Sequence, residues 1–153
     1  MLKDWLTGTW KLETFTAEDE EGQVIDVMGA GAAGFICYSG DGYMSVQISR
    51  AGRQRYDIPD VEGGSVEQTL AAARGYFAYA GKFHVDEEKA IAYHDLEFSL
   101  IPNWVGSTQK RYITKEGDNI LVLRADPVKI GPGGKKRTTS LRWKKWEDAY
   151  EMD

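Results

Sequence analysis

Tyr93–Tyr112, YHDLEFSLIPNWVGSTQKRY, sets two alternating segments on either side of a Pro-Asn turn, and that alternation decides the fold. In the first segment His94, Leu96, Phe98 and Leu100 share one face, while Tyr93, Asp95, Glu97 and Ser99 share the other. Keeping the carboxylates in water turns the first set inward. In the second segment Gln109, Arg111 and Ile113 alternate with Thr108, Lys110, Tyr112 and Thr114. The exposure of Lys110 and the apolar end at Ile113 turn Gln109 and Arg111 inward too. A hairpin through Pro102 to Gly106 then makes His94, Gln109 and Arg111 cross-strand neighbours. Desolvating an imidazole or a guanidinium costs several kcal/mol unless the group is paired. Inside an apolar face, such groups either satisfy one another structurally or serve a ligand.

Working outward, the same two-residue period recurs along most of the chain. Thr9–Thr16, Phe35–Tyr38, Tyr43–Ser49, Tyr79–Val85, Ala90–Leu100, Ser107–Thr114, Ile120–Ala125 and Arg137–Trp146 read as strands. Turn chemistry separates them, as at Ser39-Gly40-Asp41-Gly42, Glu116-Gly117-Asp118-Asn119 and Gly131-Pro132-Gly133-Gly134. On the third strand the apolar set Met44, Val46 and Ile48 is a better inward face than Tyr43, Ser45 and Gln47. One helix interrupts the series: Ser65 and Gln68 form a capping box opening the alanine-rich segment Ser65–Tyr76. Eight strands joined by hairpins, with one short helix after the third, describe an all-β, antiparallel up-and-down barrel. Closure removes exposed edges and leaves an interior for one small ligand. A sandwich is the other architecture this pattern allows, and the docking place of the helix is left open.

The length of 153 residues suits a single domain over 1–153. A formal charge of -5, with no basic face carrying interleaved aromatics, argues against a nucleic-acid partner. Lys135, Lys136, Arg137, Arg142, Lys144 and Lys145 read as a solvated strand face. The N-terminal MLKDWLTGTW has neither a signal-peptide core nor a membrane span, so a soluble cytoplasmic protein without a membrane partner is expected. Cys37, the sole cysteine, sits in the apolar GFICY and reads as a buried, inert thiol. The only histidines, His84 and His94, lack metal-ligand spacing, so neither a metal nor another cofactor is expected. Gly29–Gly34, GAGAAG, precedes a strand and so fails as a phosphate loop. It reads as a flexible entrance to the second strand.

Gly8-Thr9-Trp10 at the start of the first strand resembles the Gly-x-Trp signature of lipocalins and related calycin barrels. With GYMSVQISR at Gly42–Arg50, YFAYAGKF at Tyr76–Phe83, the run from His94 through PNW to Arg111, and the closing LRWKKW, the chain resembles the lipocalin-like domain proteins of bacteria and fungi. The resemblance extends from about Leu6 to Trp146. It implies a short intracellular barrel with Trp10 packed across its floor. Some family members are encoded beside natural-product pathways, and barrels of this type act as carriers of apolar molecules or as cyclases and isomerases.

The expected function is therefore binding of a small, mainly apolar, natural-product-like molecule in the barrel. Arg111 would bind or polarise a carbonyl, enolate or carboxylate, Gln109 would orient it, and His94 would give or take a proton. Tyr43, Tyr79, Phe98 and Trp104 are expected with Gln109 among the ligand contacts, and Tyr76 and Tyr93 at the mouth. Two alternatives stand beside this reading. One is a cofactor-free isomerase or cyclase on a polyketide-like or terpenoid-like substrate, with His94 and Arg111 catalytic. The other is a structural interaction domain using Trp5, Trp143 and Trp146. Homo-oligomerisation is left open.

Overall fold

The computed structural model describes residues 1–146, so the last seven residues of the expected 1–153 domain lie outside it. In chain order its elements are α1 (Leu2–Leu6), β1 (Gly8–Asp19), β2 (Val24–Asp26), β3 (Ala33–Tyr38), β4 (Tyr43–Ser49), α2 (Val66–Arg74), β5 (Tyr76–Asp86), β6 (Ile91–Ser99), β7 (Thr108–Glu116), β8 (Ile120–Arg124), β9 (Val128–Lys129) and β10 (Lys136–Lys145). Short 3-10 turns occupy Pro102–Trp104 and Pro132–Gly134. Eight of the strands close into an antiparallel barrel in the order β1-β3-β4-β5-β6-β7-β8-β10, with β10 pairing back onto β1. The short β2 and β9 add to β1 and β10. The expected eight-stranded barrel is thus the observed one, with its helix after the third barrel strand.

Alternation along the strands places the core. Met44, Val46 and Ile48 of β4 are buried while Tyr43 is 46% exposed, so the apolar face is the inward one. The β3–β4 turn closes through Ser39 N–H donating to the Tyr43 carbonyl at 2.8 Å, with Gly42 at φ 96°. Helix α2 has the foreseen capping box, with the Ser65 hydroxyl accepting from Gln68 N–H at 3.2 Å and the Gln68 side chain accepting from Ser65 N–H at 3.2 Å. It packs beside β5 and buries none of its own residues.

The floor is built by an element that local pattern did not announce. Helix α1 ends in Leu6, which joins Trp10 of β1 at one barrel end, both at 0% exposure. The Trp10 indole N–H donates to the Leu6 carbonyl at 2.8 Å, and the Trp5 ring meets Trp10 edge-on at 4.8 Å. The first turn of α1 is capped from afar: the Glu87 carboxylate accepts from Leu2 N–H at 2.7 Å and Lys3 N–H at 3.1 Å. Those two backbone bonds hold Glu87 below the usual carboxylate range. A five-residue helix has no stability of its own, which is why its stretch carries so little helical signal.

Two face assignments need correction. Between β5 and β6 the register runs Gly81 opposite Leu96, then Ala80 opposite Phe98, leaving Glu97 as an extra residue. This bulge reverses the alternation beyond Leu96, so Phe98 and Leu100 face outward at 70% and 42% exposure. Gly81 permits it, because a Cβ there would run into the Asp95 carbonyl oxygen. The second correction concerns Arg137, read as part of a solvated basic face but buried in the structure. Its Nη1 donates to the carbonyls of Ile130 and Pro132, at 2.5 and 3.0 Å, tying the β9–β10 connection to the barrel. Neighbouring cations are neutralised on the surface: Lys135 pairs with Asp19 and Glu21, and Arg142 with Glu13 and Glu116. Cys37 is half-buried rather than sealed, with its sulfur 3.4 Å from the Thr9 hydroxyl. No helix among the described residues is long and apolar enough to cross a membrane.

Candidate ligand-binding cavity

At the end opposite α1, the barrel encloses a cavity of about 330 Å³. Its walls are chiefly apolar, with Phe15, Phe77, Leu123 and Leu141 among them. Ile101 and Trp104 reach it from the β6–β7 turn, and Val128 to Ile130 from the β8–β10 connection. The carbonyl of Ile130 is one of those gripped by Arg137, so a buried guanidinium holds this part of the rim in place.

Polar side chains break the apolar lining at Tyr79 of β5, Gln109 and Arg111 of β7, Lys129 of β9 and Thr139 of β10. Alternation along β7 buries Arg111 and Ile113 on the inner face and points Lys110 and Tyr112 away from it. Pairing with β6 sets Gln109 opposite His94 and Arg111 opposite Ala92, so the cross-strand cluster read from the sequence forms. Gln109 donates to the Ser107 hydroxyl at 2.9 Å. Arg111 is only 8% exposed and no carboxylate among the described residues pairs with it. Its Nη1 donates to the Lys110 carbonyl at 2.9 Å, and its guanidinium carbon lies 5.9 Å from the Trp104 ring centroid. A buried cation satisfied only to that extent is an unfinished interaction.

His94 sits behind the wall, fully buried and absent from the cavity lining. Both ring nitrogens are engaged: Nε2 is 2.8 Å from the Tyr38 hydroxyl and Nδ1 is 3.1 Å from the Tyr79 hydroxyl. Burial, with Arg111 nearby, keeps its pKa well below 6.5, so the ring is neutral at physiological pH. Burial likewise pushes the Tyr38 phenol well above its usual value, with Tyr79 adding to the effect and Arg111 opposing it. The three side chains form a neutral hydrogen-bonded row from the core to the cavity wall.

Of the residues singled out in the sequence, Tyr79, Trp104, Gln109 and Arg111 therefore line one cavity. His94 stands one layer back. Tyr43 and Phe98 lie on the outer surface, Tyr43 because its strand turns the apolar set inward and Phe98 because of the bulge at Glu97. Tyr76 donates to Gln47 Oε1 at 2.6 Å, and Tyr93 stacks on His84 at 4.9 Å, so neither rims the cavity. Sequence reasoning missed Tyr38 and Phe77, and gave Trp143 to an interaction surface although the structure buries it. For Tyr38 a signal existed: it alternates with Ile36 and pairs with Met44, whose inward orientation was already assigned. Trp143 is 1% exposed and lines the cavity, and its indole N–H has no partner among the described residues. Nothing local to its strand marks it.

A closed eight-stranded antiparallel barrel with a floor tryptophan and an apolar cavity defines a lipocalin-type protein. The chain belongs to the lipocalin-like domain family, whose profile matches residues 7–146. It is similar to the 4'-hydroxy-3'-methoxypropiophenone carrier protein ppsC of Aspergillus oryzae, with 31% identity in an alignment of 108 residues that covers 67% of this chain and 96% of that protein. Among solved structures it is similar to a redesigned β-barrel, with TM-score 0.43, 14% identity and 95% of each chain covered. It is also similar to EF1p2_mFAP2b bound to DFHBI, with TM-score 0.45, 14% identity, and 94% and 95% of the two chains covered.

Proposed function

We propose that this protein binds a small, mainly apolar and aromatic molecule bearing an oxygen acceptor, and holds it without chemical change. The observation that carries the reading is Arg111, a buried guanidinium in a cavity wall with no carboxylate partner among the described residues. A ligand carbonyl, phenolate or carboxylate at that position supplies the missing partner, and Gln109 and Tyr79 flank it with further polar groups. Phe15, Phe77 and Trp104 provide aromatic surface for a ring. A volume of about 330 Å³ is in the range of small-molecule sites. The relative from Aspergillus is named as the carrier of an aromatic ketone with hydroxyl and methoxy substituents, a compound of this chemical class.

Binding is favoured over catalysis because the described lining contains no carboxylate and no imidazole to move a proton, His94 being shielded behind Tyr79. Titration with 4'-hydroxy-3'-methoxypropiophenone, followed by intrinsic fluorescence, tests the reading, since Trp104 and Trp143 lie in the wall. A saturable change with one site per chain, and recovery of the unaltered ketone by mass spectrometry, are expected. Absence of saturable binding up to the solubility limit overturns the proposal, and recovery of a rearranged product replaces it with the isomerase reading.

A further inference from the structure

The row Tyr38–His94–Tyr79 has a direction, and that direction determines what the cavity offers a ligand. Tyr38 is 1% exposed, and among the described residues the only hydrogen-bond partner of its hydroxyl is His94 Nε2, at 2.8 Å. A neutral imidazole carries one proton, on one nitrogen or the other. With the proton on Nε2, that N–H donates to the Tyr38 oxygen. The Tyr38 hydroxyl proton is then stranded in the core, while Tyr79 spends its own proton on Nδ1. With the proton on Nδ1, Tyr38 donates to Nε2, and Nδ1–H donates to the Tyr79 oxygen at 3.1 Å. The remaining hydroxyl proton is then that of Tyr79, which lines the cavity. Both arrangements contain two hydrogen bonds. They differ in whether the leftover donor is sealed in the core or presented to a ligand, and a buried unsatisfied donor costs about 1–3 kcal/mol.

We propose that Tyr38 and His94 are positioning residues that lock Tyr79 as a hydrogen-bond donor into the cavity, so that the protein selects aryl ketones and related oxygen acceptors over hydrocarbons of the same skeleton. Tyr79 and the guanidinium of Arg111 set two donors on the same cavity, beside Gln109 and Thr139, which can also accept. An acceptor oxygen satisfies those two donors, and a methylene does not. The inference rests on the cavity being the binding site, as proposed above.

The test uses the intact protein and two probes, propiophenone and propylbenzene, which differ by one carbonyl. In a ¹⁵N spectrum of the imidazole ring at neutral pH, His94 is expected to show a protonated Nδ1 and a bare Nε2. The opposite assignment overturns the inference, and this readout needs no variant. By calorimetry or fluorescence, propiophenone is expected to bind about tenfold more tightly than propylbenzene, the equivalent of roughly one good hydrogen bond. Tyr79→Phe is expected to lower that preference, read as the ratio of the two affinities. Tyr38→Phe is expected to blur the single tautomer and reduce the preference, although residue 38 touches no ligand. A Tyr38→Phe protein with the same tautomer and the same preference overturns the positioning role. Equal binding of the two probes to the wild type overturns this inference and leaves the cavity reading standing. Binding of neither overturns both.

Discussion

Replacing Arg111 with methionine separates a fold-holding cation from a ligand-binding one, because the two roles move stability in opposite directions. The side chain is 8% exposed, donates one hydrogen bond to the Lys110 carbonyl at 2.9 Å, and lies 5.9 Å from the Trp104 ring centroid. Methionine fills much of the same volume. It forfeits a charged hydrogen bond, worth about 1.5–3 kcal/mol. The cation–π contact adds about 0.5–1 kcal/mol. Against these stands the desolvation of an unpaired guanidinium, several kcal/mol, and removal of buried ionic groups is often neutral or stabilising by about 1–4 kcal/mol. Arg111→Met is therefore expected to unfold at equal or higher urea concentration, with stability up by about 0–2 kcal/mol. Loss of its charge-assisted bond to a ligand oxygen should weaken 4'-hydroxy-3'-methoxypropiophenone binding about ten- to a hundredfold. Equilibrium urea denaturation and calorimetric titration of the same preparation measure the two quantities. A variant destabilised by more than about 1 kcal/mol with unchanged ketone affinity would refute the assignment and make Arg111 part of the scaffold.

Further outcomes follow from other parts of the molecule. Because burial holds His94 well below 6.5, the unfolded chain takes up a proton near that pH that the native state refuses. Stability should be level above pH 6.5 and fall on acidification below it, by at most about 1.4 kcal/mol per pH unit from this group. His94→Gln should flatten that part of the profile in urea titrations between about pH 7.5 and 5, and an unaltered slope would show that another group causes it. Gly81→Ala drives a methyl into the Asp95 carbonyl oxygen at the bulge and should cost about 3 kcal/mol or more, read as a lower urea midpoint or as loss of soluble protein. Phe98→Ser, at a site 70% exposed outside the barrel, should change stability by less than about 0.5 kcal/mol and leave ketone affinity untouched. A large loss of binding in that variant would relocate the site to the outer surface.

The barrel and the nucleus of its cavity could be read from local pattern because a strand's two faces are set by a period of two residues. Gln109, Arg111 and Ile113 needed only the certain exposure of Lys110 to be oriented, and the structure keeps them on one face. Met44, Val46 and Ile48 were oriented by the same argument. The method failed where the period itself was interrupted. The extra residue Glu97 reverses Phe98 and Leu100, and what permits the interruption is a glycine on the neighbouring strand. It failed again at Arg137, whose charge suggested solvent while its hydrogen bonds go to the carbonyls of a distant loop.

By itself, then, the amino-acid order determined the eight barrel strands, the inner faces of β4 and β7 and the proximity of His94, Gln109 and Arg111, since these depend on side-chain alternation and short turns. Tertiary structure alone decided which of these residues meet a ligand. His94 became a shielded link because Tyr38, 56 positions away in the chain, reaches its Nε2 across the core. Among the described residues Arg111 remained without a carboxylate because none of the other strands brings one to it. The floor closed because Glu87, 85 residues from Leu2, caps a helix too short to form by its own propensity. Each of these contacts joins residues far apart in sequence, and their free energy appears only when the barrel closes and brings the partners together.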